Sequence, residues 1–348
     1  MAKYIVLLLI SIFVSCKQEQ KVPQPSFKTV SVDTLLHDKI SIRALTVADN
    51  TVWYSGSGGK YGFVTLNSKE NYSNTIVNDT LPTEFRAIAH TTSSVFILNV
   101  GTPASLYKID KKSKTIKQVY TETGEKVFYD SMEFYNDMDG IAMGDPTSDC
   151  LSVIITNDGG ETWTKISCDV LPKTADGEAA FAASDTNVIV KEGNIWIVSG
   201  GKKSRVFHST DKGKTWEVYN TPIEQGSAMA GIFSADFYDD TIGFAVGGNY
   251  EKQDKNLGNK ILTTDGGKSW QLVGEGVGFG YASCVQFVPN SEGNELVTAG
   301  PSGVYYSYDR GNTWKKIHDD TLLHTLRFVD NTTIIAAGQN KIIRLQLE

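Results

Sequence analysis

Thr156-Asn-Asp-Gly-Gly-Glu-Thr-Trp163 lies between the apolar runs Leu151-Ser-Val-Ile-Ile155 and Trp163-Thr-Lys-Ile166. The phrase returns as Ser209-Thr-Asp-Lys-Gly-Lys-Thr-Trp216, Thr263-Thr-Asp-Gly-Gly-Lys-Ser-Trp270 and Ser307-Tyr-Asp-Arg-Gly-Asn-Thr-Trp314. Its pattern is Ser/Thr-x-Asp-x-Gly-x-Thr/Ser-Trp, and a period of roughly 45 to 55 residues marks a repeat architecture. A short polar phrase between two apolar runs is a hairpin turn. The carboxylates of Asp158, Asp211, Asp265 and Asp309 can accept hydrogen bonds from turn amides. The glycine supplies a backbone conformation that a Cβ resists. Trp163, Trp216, Trp270 and Trp314 each offer a large apolar plate. These are scaffold roles.

A second signal extends the count. An apolar strand runs into glycine at Val52–Gly56, Val95–Gly101, Gly140–Gly144, Ile195–Gly200, Ile242–Gly247, Leu296–Gly300 and Ile334–Gly338. Each is preceded by an alternating apolar run expected to be an inner strand: 42–45, 85–88, 132–135, 180–183, 235–238, 285–288 and 326–329. Blades one and two carry degenerate turns near Asn67–Asn71 and Asp110–Lys114, and the chain ends on a third strand, Ile342–Leu347, with no fourth. The segment Phe27–Val32 is available to complete that last sheet, which limits exposed edges. The expectation is an all-β, seven-bladed β-propeller over residues 27–348, closed by its N-terminal strand. Pro, Gly and β-branched residues interrupt every helical window.

The repeated phrase resembles the Asp-box, or bacterial neuraminidase repeat, so the chain resembles Asp-box β-propellers: sialidases, sortilin-type receptors and photosystem II assembly-factor-like propellers. The motif is informative about fold, and function must be argued from a site. Resemblance to the assembly-factor-like propellers covers nearly the whole chain after the leader. It implies a binding platform with no reaction, and it carries over only Arg43, Arg86 and Arg327, as a similar basic surface. The photosynthetic partner does not carry over.

Aligning the seven inner strands places Arg43, Arg86, Glu133, Phe181, Asp236, Gln286 and Arg327 at one level facing the channel. Three of the six arginines of the chain fall there, on blades that become neighbours once the ring closes. Three guanidiniums around one opening make a carboxylate or phosphate site, with Glu133, Asp236 and Gln286 beside them. The alternative is that each arginine pairs with a local acid or with carbonyls and knits adjacent blades.

A sialidase-like glycoside hydrolase is a second expectation. Such enzymes bind the sugar carboxylate through three arginines, the first in a Phe/Tyr-Arg-Ile-Pro phrase; here Phe85-Arg-Ala-Ile88 lacks the proline. Glu133, Asp236 and Tyr281 are the candidates for its acid–base and nucleophile groups. The five histidines lack metal-ligand spacing, Gly274–Gly280 lacks the dinucleotide fingerprint, and no cofactor is expected. Gly274–Gly280 is read as a loop lining the mouth, and the polar insertion 249–259 as a partner-binding loop.

Residues 1–15 read as a lipoprotein signal: Lys3, then an apolar stretch Tyr4–Val14, too short to span a bilayer. Ile12-Phe-Val-Ser-Cys16 resembles a lipobox, with Cys16 as the acylated residue and Phe13 in place of the usual leucine. An ordinary signal peptide with a chance cysteine is the alternative. Residues 16–26 form a polar tether. These features imply a lipid-anchored monomer of the cell envelope, and a purely structural surface lipoprotein is the third expectation. Formal net charge is −7, which argues against nucleic acid and anionic membrane surfaces as nonspecific partners. The expected partner is an envelope protein or an anionic glycan. Cys150 and Cys168 are equidistant from Gly159, opposite each other in the hairpin, and are expected to form a disulfide in an oxidising compartment, with two free thiols as the alternative. Cys284 sits in an apolar run.

Overall fold

The computed structural model describes residues 24–77 and 83–348. Residues 1–15, Cys16 and the tether up to Pro23 lie outside the described residues. Among the described residues the only helix is a single 3-10 turn, Tyr250–Lys252. The strands form a β-propeller.

Its strands fall into six hydrogen-bonded sheets, one of which holds two blades and so brings the number of blades to seven. The strand Val30–Ala48 joins them. Its first part pairs with 341–347 through Val30–Leu347 to His37–Lys341, and its second part pairs with Thr51–Gly56 through Ile42–Gly56 to Ala48–Thr51. The strand Thr333–Leu347 folds back on itself at Gln339–Asn340, where Asn340 takes a positive φ and Leu347 N reaches Thr332 O. Blade seven therefore consists of Leu323–Phe328, residues 333–338, residues 341–347 and the N-terminal strand. The expected closure is present.

The innermost strands of blades two, three, five and six are Phe85–His90, Tyr129–Phe134, Ala230–Phe237 and Cys284–Phe287. Blade four departs from expectation. Its innermost strand is Val188–Lys191, hairpinned to Asn194–Val198 through Glu192-Gly193, both at positive φ. The expected strand 180–183 is instead a loop. The β-branched run Val188-Ile-Val, ending in a Glu-Gly turn, makes the better strand and hairpin; Ala180-Phe-Ala-Ala has no such support.

The core lies between blades rather than at the axis. Phe96 and Leu98 of blade two pack with Met132, Phe134 and Trp163 of blade three; Trp196 of blade four packs with Phe237 and Trp270 of blade five.

The four repeated turns share one hydrogen-bond pattern. Thr156 Oγ1 donates to Asp158 Oδ1 (2.8 Å) and accepts from Gly160 N (3.0 Å), while Thr162 donates its N–H to Oδ1 and its hydroxyl to Oδ2 (2.6 Å). Asp211, Asp265 and Asp309 are held identically by Ser209 and Thr215, Thr263 and Ser269, and Ser307 and Thr313. A Cβ at Gly160 or Gly311 would overlap the ring of Phe96 or Phe244 on the preceding blade. The indoles of Trp216, Trp270 and Trp314 donate to the carbonyls of Gly213, Gly267 and Gly311. Trp163 is buried with its Nε1 unpartnered.

Three of the four repeated turns bond the turn between the two inner strands of their own blade, Gly159 N to Met138 O, Gly266 N to Thr241 O and Arg310 N to Asn294 O, so one face of the ring carries both turn types. The chain enters on this face, where Lys28 N bonds Glu348 O and Ser26 N bonds the Tyr306 hydroxyl. The inner strands begin on the opposite face. Cys150 and Cys168 form a disulfide with a Cα–Cα distance of 5.5 Å, and Cys284 is a buried free thiol.

Candidate functional site

The channel is crossed by the loop that precedes blade four. Ser184, Asp185, Thr186 and Asn187 are all buried, and they are held from many sides. Asp185 accepts from Ile88 N (2.9 Å) of blade two and Met132 N (3.0 Å) of blade three. Thr186 Oγ1 donates to Ser234 Oγ of blade five (2.7 Å), and Thr325 Oγ1 of blade seven donates to Ser184 O (3.0 Å). Burial pushes the Asp185 carboxyl well above the ordinary range. This loop plugs the axis.

The plug separates the residues expected to act together. Arg43 and Arg86 line a cavity of about 430 Å³ on the face where inner strands begin. Glu133, Asp236, Gln286 and Arg327 line a cavity of about 210 Å³ with Asp185 and Lys191 on the far side. The three guanidiniums do not surround one opening, and this corrects the expectation from sequence. The cause is a β-bulge in the inner strands. Ladder register breaks at Arg43, Arg86, Asp130, Phe233 and His324. Those five are the equivalent positions; Glu133, Asp236 and Arg327 each fall three residues later, about 10 Å along a strand. Phe181 lies on no strand.

The far group knits blades. Asp236 accepts from Phe237 N (2.9 Å) and from Phe287 N of blade six (2.7 Å). Gln286 accepts from Phe328 N of blade seven (3.2 Å), and Glu133 from Phe134 N (3.0 Å). Arg327 donates to Ser184 O (3.2 Å), Asp185 O (2.9 Å), Leu326 O (2.8 Å) and Thr325 Oγ1 (3.0 Å), which fixes the plug. Burial pushes the Asp236 carboxyl up to about 6.

The near group differs. Arg86 is paired with Glu84 at 2.8 Å and donates to Ala182 O (3.4 Å). Arg43 makes one hydrogen bond among the described residues, to Ala183 O at 3.1 Å, and forms no ion pair there. An arginine carries five donors, so most of those of Arg43 remain open to the cavity. Burial, then the Arg86 charge, depresses its pKa from the ordinary value. His324 is pushed down to about 3 by burial and by the charges of Arg43 and Arg86, so its imidazole is neutral. Beneath the wall, Asp130 is fully buried with both oxygens unpartnered, and burial and the Asp145 charge hold it well above the ordinary range. Asp145 is itself raised to about 6 by burial.

The remaining wall is aromatic. Phe181, Phe233, Tyr250 and Tyr281 line the same cavity. Tyr250 opens the insertion 249–259, and Tyr281 N bonds Gln253 O, so the insertion and the loop before blade six form one rim. A second cleft of about 710 Å³ shares Phe128, Asp145, Ala179 and Ala228 with the first and extends over blades three and four. The aromatic wall was not legible as a set, because its members come from three loops and a bulge; the sequence signals were the insertion and the glycine-rich loop that ends just before Tyr281. The hydrolase trio does not assemble: Tyr281 lines the near cavity, and Glu133 and Asp236 the far one. No group of three or more metal-ligating side chains exists among the described residues.

No protein-family model matches the chain. No curated protein matches it. Solved structures place the fold. A structure of YCF48 bound to D1 peptide superposes with a TM-score of 0.65 at 13% identity, covering 94% of this chain and 99% of that one. Streptogramin B lyase gives 0.69 at 14% identity, covering 93% and 100%. The WD40 β-propeller domain of Doa1 gives 0.64 at 11% identity, covering 92% and 97%. At these identities the likeness is one of fold.

Proposed function

We propose that this propeller is a non-catalytic binding or assembly platform that holds an extended segment of a protein partner at the Arg43/Arg86 mouth. The observation that carries this reading is Arg43: a guanidinium without a carboxylate partner among the described residues, facing an open cavity that continues into a longer cleft. An unpaired, partly desolvated arginine favours a carboxylate or another anionic acceptor. The solved YCF48 propeller, similar in fold, holds a D1 peptide, which supports a peptide as occupant. The Asp-box resemblance of the four turns agrees with such a scaffold.

The envelope setting belongs to the same proposal. Cys16 is the lipid attachment point, the tether links it to the ring, and the partner is an envelope protein. The Cys150–Cys168 disulfide is compatible with an oxidising compartment.

The test is cross-linking from a photoreactive residue at Tyr250 in intact cells, with the captured protein identified and its binding remeasured with purified components. Arg43→Ala is expected to weaken that defined complex at least tenfold with the melt unchanged. A complex indifferent to Arg43→Ala, or an anionic glycan that binds where no protein does, overturns the protein-platform reading.

A further inference from the structure

We infer that the mouth cavity is a side-chain pocket, and that the bound segment places one large apolar residue, aromatic above all, in it next to an acidic residue that meets Arg43. This rests on the platform reading and specifies the chemistry of the partner.

The cavity, about 430 Å³, falls within the range of small-ligand pockets. Phe181 and Phe233 stack face to face with centroids 3.8 Å apart and planes within 2°. Tyr281 meets Phe233 edge-on at 4.7 Å, and Tyr250 meets Tyr281 edge-on at 5.3 Å. The rings form a continuous array, and its outermost member, Tyr250, is 42% exposed. Aromatic rings favour stacked or edge-to-face partners, so the open end of such an array selects another ring. The facing wall explains why space remains. Ala179, Ala180, Ala182, Ala183 and Ala228 line it, and none carries a side chain long enough to fill the hollow.

Charge then fixes what lies beside the ring. Arg43 stands among Arg86, Tyr281, Tyr250 and Glu84. Glu84 is taken by Arg86, so the positive group left over is Arg43. An aromatic residue alone would leave that guanidinium desolvated without a counter-charge, which is costly. An acidic residue alone would leave the open end of the array, Tyr250, exposed to water. A segment that supplies both satisfies the whole pocket, and such a pairing of a buried ring with an arginine is typical of interface hot spots.

The probes are four end-capped Gly/Ser peptides of equal length carrying Phe-Asp, Phe-Asn, Ala-Asp or Ala-Asn at the centre, titrated by calorimetry or NMR into the full chain. The Phe-Asp peptide is expected to bind at least tenfold more tightly than either singly substituted peptide. Ala228→Trp, at an exposed position lining both cavities, is expected to cancel the Phe advantage while keeping the Asp advantage. Arg43→Gln is expected to do the reverse. Equal binding of all four peptides, no binding of any, or a Phe advantage that survives Ala228→Trp overturns the pocket. If the cross-linked partner still depends on Arg43 while the Phe advantage is absent, the platform stands and the pocket alone fails.

Discussion

Blades three to six and the arc formed by blades seven, one and two hold their outer edges differently. In the first group the outermost strands are short: Thr164–Lys165, Glu217–Asn220, Gln271–Leu272 and Lys315–His318. So few ladder bonds cannot fix an outer strand. An Asp clamped by two hydroxyl side chains and an indole docked on the adjoining blade replace them. In the second group the outer strands are longer, Asn71–Thr75, Ile116–Glu122 and the N-terminal strand, and backbone pairing carries the edge. Asp110 still caps its turn through Lys112 N and Ser113 N, but no tryptophan follows. One half of the ring is stapled by side chains and the other is zipped by main chain.

The sharpest break is removal of the zip. Deleting residues 27–37 strips the ladder from 341–347 and the Phe27–Tyr306 ring contact at 4.3 Å. The expected outcome is loss of the cooperative urea transition, a penalty above about 5 kcal/mol, comparable to the whole stability of a marginal domain. A surviving cooperative transition would show that the ring closes without its first strand.

Next comes the staple. Trp270→Ala removes an indole packed edge-on against Phe237 at 6.0 Å and bonded to Gly267 O, and should cost about 3–5 kcal/mol in an equilibrium melt. A loss below about 1 kcal/mol would mean that the packing of this indole is incidental.

Arg327→Ala should cost about 1–3 kcal/mol, because the plug carbonyls of Ser184 and Asp185 lose their donor. Arg43→Ala should change stability less and binding more. Equal effects of the two substitutions on the partner complex would erase the distinction between near and far cavities.

The smallest effect is a difference in pH dependence. Partial burial works against the Asp158 carboxylate, but the hydrogen bonds from Thr162 and Thr156 outweigh it and lower its pKa from 3.8 to about 2. The unfolded chain then binds the proton more readily. The stability Asp158 contributes is complete above about pH 4 and is lost as pH falls toward 2. Asp236 has the opposite sign: its folded pKa of about 6 lies above 3.8, so the folded state favours the neutral acid and loses stability as pH rises from 4 to 6. Urea midpoints measured across pH should show Asp158→Asn flattening the lower limb and Asp236→Asn the upper one.

The blade count, the N-terminal closure and the turn positions were legible because each rests on a local signal: alternation, a glycine at a strand end, a repeated phrase. The level of the channel residues was not. A bulge leaves no mark in the residue types around it, so Glu133-Phe134 and Asp236-Phe237 look like equivalents of Arg43-Ala44 and Arg86-Ala87 although they lie three residues past the bulge positions Asp130 and Phe233. The plug was hidden for a different reason. Phe181-Ala-Ala reads as a weak strand and masks the true one, Val188–Lys191, although the Glu192-Gly193 turn beside it is a local signal of the legible kind. The aromatic wall is a tertiary product of loops and carries no periodicity.

The first strand has a direction. It enters on the turn-bearing face, beside Glu348 and Tyr306, and climbs toward the side where Arg43 begins the next strand. The first described residues therefore sit on the floor of the ring, and the Arg43 cavity opens at its roof. On the proposed platform reading, a surface that held the protein from the floor side would display the Arg43 pocket outward.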